Sequence, residues 1–100
     1  MLGFLDMVYD YELRNIKNTK EDYYEVDTSI VTDCTPPYET AIKLKGFNNF
    51  EWIIVSRVSS VEKAYFEHDK WVKMCKKNNI NHVVDVSTGK VITKKRRINK

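Results

Sequence analysis

Two histidines and two cysteines, His68, His82, Cys34 and Cys75, are the count that a closed tetrahedral zinc site uses. Their spacing does not suit a metal: the chain has no C-x-x-C and no H-x-x-x-H pair. His68 and Cys75 share one helical face, but that face also carries the apolar stripe, so both are expected in the core. No metal and no other cofactor is expected. A thiol nucleophile needs a low-pKa cysteine beside a histidine. Cys34 lies in a loop just before Pro36-Pro37 with no histidine near it in sequence, which suits a structural loop cysteine. Acid–base work needs paired carboxylates with one raised pKa. Asp27 with Asp33, or Glu39, are the candidates, but acidic residues alternating along strands belong to a solvent face. Three scattered glycines cannot build a phosphate-cradling loop. No catalytic residue is therefore assigned, and a non-enzymatic protein is expected.

Binding chemistry is better represented. Lys76, Lys77, Lys90, Lys94, Lys95, Arg96 and Arg97 form a basic C-terminal group that could contact phosphates. The chain carries two Trp, six Tyr and four Phe, more aromatic surface than a minimal core needs, and such residues anchor protein interfaces. Trp52 and Trp71 are expected in the core. Tyr9, Tyr11, Tyr23 and Phe47 lie in polar surroundings and are the expected partner-binding residues. Against nucleic acid, no helix-turn-helix or zinc-finger pattern is visible, and aromatic and basic residues do not interleave as single-strand binders require.

The elements that must position these groups follow from periodicity. Residues 1–20 fit helical and alternating spacing equally, and are read as a short helical turn followed by a strand around Leu13–Lys17. Tyr23–Thr32 is a strand with Tyr24, Val26, Thr28 and Ile30 on one face. Pro36-Pro37 break the chain. Tyr38–Lys45 alternates again, Gly46 to Asn49 turns it, and Phe50–Val58 is the most apolar strand, covered on both faces at its centre. Three strands with short loops imply an antiparallel meander with open edges. A capping box of Ser59 and Glu62 starts a helix carrying Val61, Ala64, Tyr65, His68, Val72 and Cys75, with Trp71 at the stripe's edge. Lys63–Glu67 and Asp69–Lys73 are spaced to pair on its polar side. His82–Val86 and Val91-Ile92 suit a closing hairpin through Ser87 to Lys90. The fold expected is α+β: a three- to four-stranded antiparallel sheet with one amphipathic helix, about 60–77, on one face. Residues 1–92 form a single domain, and residues 93–100 a basic, flexible tail.

At 100 residues and 31% charged, the chain suits one small domain. No apolar run approaches the roughly 18 residues that a membrane span needs, so no membrane partner is expected. The net charge of +3 hides a split. Residues 1–40 hold three basic and nine acidic side chains, and residues 41–100 hold fourteen basic and five acidic. Such asymmetry can steer oppositely charged partners to opposite ends. Two unpaired cysteines and no targeting segment point to a reducing cytoplasm.

The ordered series Glu25-Val26-Asp27-Thr28, Val31-Thr32-Asp33, Tyr38-Glu39-Thr40-Ala41-Ile42, Trp52-Ile53-Ile54-Val55, Glu62-Lys63-Ala64, His68, Trp71-Val72-Lys73 and Asp85-Val86-Ser87-Thr88 resembles a group of small proteins encoded by tailed phages and prophages of Gram-positive bacteria. The opening Met1-Leu2-Gly3-Phe4-Leu5-Asp6-Met7 is similar too. The resemblance covers about residues 1–92. Two features depart from it: Gly89 and the basic run Lys94–Arg97 stand where the relatives continue as a helix, and the spacer before Trp52 is shorter. The group carries no activity to transfer. It implies a phage accessory protein acting inside the infected host. Together with the small size and the lack of catalytic groups, this makes the expected function that of a non-enzymatic protein that binds and modulates a host protein, with an anti-defence or host-takeover role as a candidate. Nucleic-acid binding through the basic end and a small-molecule sponge are the alternatives, and self-association is left open.

Overall fold

The computed structural model describes residues 14–32 and 34–95. Alternating β-branched and aromatic residues build a four-stranded antiparallel sheet in the order β1 (Asn15–Lys20), β2 (Tyr24–Ile30), β3 (Tyr38–Leu44), β4 (Ile53–Val58). The helix α1 (Val61–Lys77) crosses one face, and a hairpin of β5 (His82–Asp85) and β6 (Lys90–Thr93) closes the core. The α+β expectation therefore holds, with the sheet at its four-stranded limit. Among the described residues, no helix is long and apolar enough to cross a membrane.

Register explains the burial. Tyr24 faces Leu44, Val26 faces Ile42, and Thr28 faces Thr40 across β2 and β3. All six are buried beneath α1, since period-two alternation sends every second side chain inward. Between β3 and β4 the pairing slips, so that Thr40 faces Ser56 but Ala41 faces Ile54. Val55 is the extra residue of this bulge. It stays buried beside Ile53 and Ser56, which accounts for a continuous apolar run without a second covered face.

Ser60, not Ser59, caps α1: its Oγ accepts from the Lys63 N–H at 3.2 Å. The residue three on is thus Lys63, so the reciprocal half of the expected capping box does not form. Glu62 still stands in the first turn, where the helix dipole favours an acid. The face turned to the sheet runs Ala64, His68, Trp71, Val72 and Cys75. Val61 and Tyr65, expected on that stripe, are exposed. Glu67 pairs with Lys70 and Asp69 with Lys17 of β1, in place of the expected pairings along the helix.

The hairpin turns through Val86 to Gly89. Asp85 Oδ1 accepts from the Ser87 N–H at 2.9 Å, the Gly89 N–H reaches Asp85 O at 2.7 Å, and Gly89 has φ +76°, a value that favours glycine. The Val86 N–H donates to Ile54 O at 2.8 Å and ties the hairpin to β4. The expected tail boundary at residue 93 falls inside the fold. Thr93 pairs with His82, the Lys94 N–H donates to Asn81 O, and the Lys95 N–H donates to Gly46 O.

The core contains two buried donors, Tyr24 Oη and Trp71 Nε1, with no hydrogen-bond partner among the described residues. Burial, and then the charge of Glu21, push the Tyr24 phenol up from its ordinary pKa. A buried unpaired hydroxyl costs about 1–3 kcal/mol. Replacing Tyr24 by Phe is expected to leave the urea midpoint unchanged or raise it. A loss of more than about 1 kcal/mol in equilibrium unfolding would show instead that the hydroxyl is bonded.

Candidate functional site

Beneath α1, His68 is fully buried. Its Nδ1 lies 2.8 Å from Thr28 Oγ1, and its Nε2 lies 2.9 Å from Thr19 Oγ1. Thr28 Oγ1 is in turn 3.0 Å from Thr40 Oγ1. A neutral imidazole carries one donor and one acceptor, and each hydroxyl can serve as either, so both tautomers are fully satisfied. Burial first, and then the positive charge of Lys17, hold the imidazole below its ordinary pKa, while Asp69 and Asp27 act weakly the other way. Cys75 is also buried, and burial pushes its thiol up to about 11, too high for a thiolate nucleophile at neutral pH. Cys34 is a separate free cysteine in the loop after β2. Among the described residues, no group of three or more His, Cys, Asp or Glu side chains is placed to hold a metal.

The carboxylates weighed for chemistry are tied into the opposite face of the sheet. Asp27 accepts from Asn15 at 2.6 Å, Asn18 at 2.9 Å and Ser29 at 2.9 Å. Glu39 pairs with Arg57 at 3.2 Å. Asp33 lies outside the described residues. No described element covers this face, and at its β3–β4 side stands a different cluster. Lys43 Nζ sits 4.9 Å from the centre of the Trp52 ring and 5.8 Å from that of Phe50. Trp52 is 42% exposed and Phe50 41%. A cation over an exposed ring is worth about 0.5–1 kcal/mol, enough to bias the rings toward one arrangement.

Two expectations about aromatics are thereby reversed. Phe47, expected at an interface, is 1% exposed and belongs to the core. The loop curls back on itself: the Phe47 N–H donates to Leu44 O, the Phe50 N–H donates to Phe47 O, and Asn48, Asn49 and Phe50 all have positive φ. That curl points the Phe47 ring inward despite its polar neighbours. Trp52, expected in the core, precedes Ile53, which faces Ile42 inside, so alternation turns Trp52 outward. Trp71 does pack against the core. Tyr23 is half-buried, edge-on to Tyr24 with ring centres 5.1 Å apart. Tyr9 and Tyr11 lie outside the described residues.

Among the described basic residues, Lys90 stands apart, while the end of α1 and the end of β6 meet. Lys76 and Lys77 are exposed in the last turn of α1. Lys94 and Lys95 follow β6, whereas Lys90 opens that strand and faces Asp85. Arg96 and Arg97 lie outside the described residues. At about 3.3 Å per strand residue, Lys90 stands well away from Lys94. The structure instead brings Lys94 beside Lys45, which the sequence reading did not single out: both line a hollow of about 400 Å³ with Tyr23, Gly46 and Asn78. Among the described residues, the acidic side chains of the N-terminal half do not form a separate end. Glu25 faces Lys43 across β2 and β3, Glu39 binds Arg57, and Lys17 binds Asp69 at 3.0 Å, so antiparallel pairing interleaves the two halves. No protein family's sequence pattern matches the chain, and no curated protein or solved structure matches it either.

His68 makes stability depend on pH. Its folded pKa lies below the unfolded value of about 6.5, so the unfolded chain binds the extra proton. The stabilisation is full above about pH 6.5 and is lost as the pH falls toward the folded value, by at most about 1.4 kcal/mol per pH unit. Urea unfolding at pH 7.5 and 5 is expected to show a larger loss for the native chain than for His68→Gln. Equal losses would remove His68 as the cause.

Proposed function

We propose that the chain is a non-enzymatic accessory protein, encoded by a tailed phage or prophage of a Gram-positive bacterium, that binds and modulates a host protein in the cytoplasm. The observation carrying the binding reading is the Lys43–Trp52–Phe50 cluster on the sheet face that no described element covers. An exposed Trp held by a neighbouring cation suits the centre of an interface, where Trp, Tyr and Arg account for most of the binding energy. Further support comes from the side chains best suited to chemistry. His68 has both nitrogens bonded to threonines, Cys75 is buried, and Asp27 and Glu39 are held in sheet-face contacts.

Phe66 on α1 is more exposed, at 66%, but it lies outside the cation–ring cluster and serves as an internal control. Tagged protein is expected to recover a stoichiometric host protein from lysate, with recovery unaffected by nuclease. Trp52→Ala should reduce that recovery at least tenfold, since an interface Trp contributes about 2 kcal/mol or more, and Phe66→Ala should not. Recovery that is insensitive to Trp52→Ala would refute this interface. Recovery lost on nuclease treatment would favour nucleic acid.

A further inference from the structure

At one end of the sheet, three parts of the chain meet: the turn leaving β3, the C-terminus of α1 and the end of β6. Tyr23, Lys45, Gly46, Asn78 and Lys94 line the hollow between them. Its volume of about 400 Å³ falls within the range typical of small-molecule sites. Its walls are mostly apolar, with a few polar groups, which is the usual make-up of such sites. A second hollow of about 260 Å³, lined by Asp22, Lys45 and Phe50, shares Lys45 with it.

The sign of the charge decides the class of ligand. No described carboxylate lines the larger hollow, and neither Lys45 nor Lys94 is in an ion pair with a described residue. The C-terminus of α1 brings about half a negative charge, against two full positive ones. Lys94 is held in place along its length. Its N–H donates to Asn81 O at 3.0 Å, and the next residue's N–H donates to Gly46 O at 2.7 Å. Its methylenes pass over Gly46, where a β-carbon would meet Lys94 Cγ at 3.4 Å. Gly46 has φ +94°, so the close approach and the backbone conformation both favour glycine. Tyr23 offers a ring at the wall, fixed by its edge contact with Tyr24. In the adjoining hollow, Phe50 offers a second ring and Asp22 an acceptor.

We propose that this end of the fold binds a small organic phosphate carrying a flat ring, of the nucleoside monophosphate class. The phosphate lies between Lys45 and Lys94. The base packs on an aromatic wall, and the hydroxyl or amino groups of the nucleoside donate to Asp22. This site shares Phe50 with the Lys43–Trp52–Phe50 cluster, but its phosphate-binding lysines, Lys45 and Lys94, lie outside that cluster, and the proposal does not depend on the function inferred from it.

Isothermal titration of the full chain with AMP tests it, with adenosine, inorganic phosphate and single-stranded oligonucleotides as parallel arms. One AMP per chain is expected, bound at least tenfold tighter than adenosine or phosphate alone and weakened by added salt. Lys45→Gln and Lys94→Gln should each weaken AMP about tenfold or more, the usual effect of losing a charged hydrogen bond. Neither should shift the melting temperature. Lys63→Gln, at the far end of α1, should leave binding unchanged. The proposal is overturned if AMP fails to bind at millimolar concentration, binds no tighter than phosphate, or is indifferent to both variants. It is equally overturned if oligonucleotides bind far more tightly than AMP and increasingly so with length, which would assign these lysines to a nucleic-acid surface.

Discussion

A neutral imidazole sealed beneath a helix must find one donor and one acceptor, and in this protein it finds both in threonine hydroxyls. Thr19 comes from β1, Thr28 from β2 and Thr40 from β3, while His68 comes from α1. The four side chains therefore join three adjacent strands to the helix that covers them. Apolar burial of Val26, Ile42 and Ile53 stabilises the same layers, but it is non-directional and tolerates small shifts. The hydroxyl–imidazole chain does not. A slip of one residue in β2 would send Thr28 to the other face and strand a buried nitrogen, at a cost of about 1–3 kcal/mol. Strand register and the rotation of α1 are thus set together.

Once α1 is oriented in this way, the two faces of the sheet take different roles. The covered face holds the imidazole and the apolar core. The other face holds amides, carboxylates and cations that satisfy one another through Asn15, Asn18 and Ser29 around Asp27, and Arg57 on Glu39. These mostly half-buried surface contacts contribute modestly to stability individually. Their effect is to neutralise charge along the sheet, so that among the described residues the acidic and basic halves of the chain are interleaved. Where that pairing stops, at the β3–β4 side, Lys43 turns to aromatic rings instead of carboxylates. At the adjoining end, Lys45 and Lys94 line a hollow with no acidic wall residue among those described.

Much of the architecture was legible as pattern. Alternation at Tyr24, Val26, Thr28 and Ile30, the break at Pro36-Pro37 and the turn at Gly46 each mark a backbone constraint confined to a few residues. Thr28 and Thr40 also carried a signal, because a hydroxyl at an inward position needs a partner. Thr19 carried none, since β1 is too polar for its inward face to stand out. The aromatics were misread where local polarity conflicted with geometry. Phe47 sits among Gly and Asn yet is turned inward by the curled loop, and Trp52 begins an apolar run yet is turned outward by its neighbour Ile53.

The order of residues along the chain sets local matters: which segments extend, which coils into a helix, where the chain turns, and which side chains share a strand face or helix stripe. Those depend on backbone preferences and on periods of two and 3.6 residues. Which distant groups meet is settled by packing in three dimensions. The bulge opposite Thr40, the pairing of Lys17 with Asp69, and the convergence of Tyr23, Lys45 and Lys94 all depend on strand register and helix rotation. Those are settled when the imidazole and the apolar core are buried together, because a buried polar group accepts few arrangements and an apolar one accepts many.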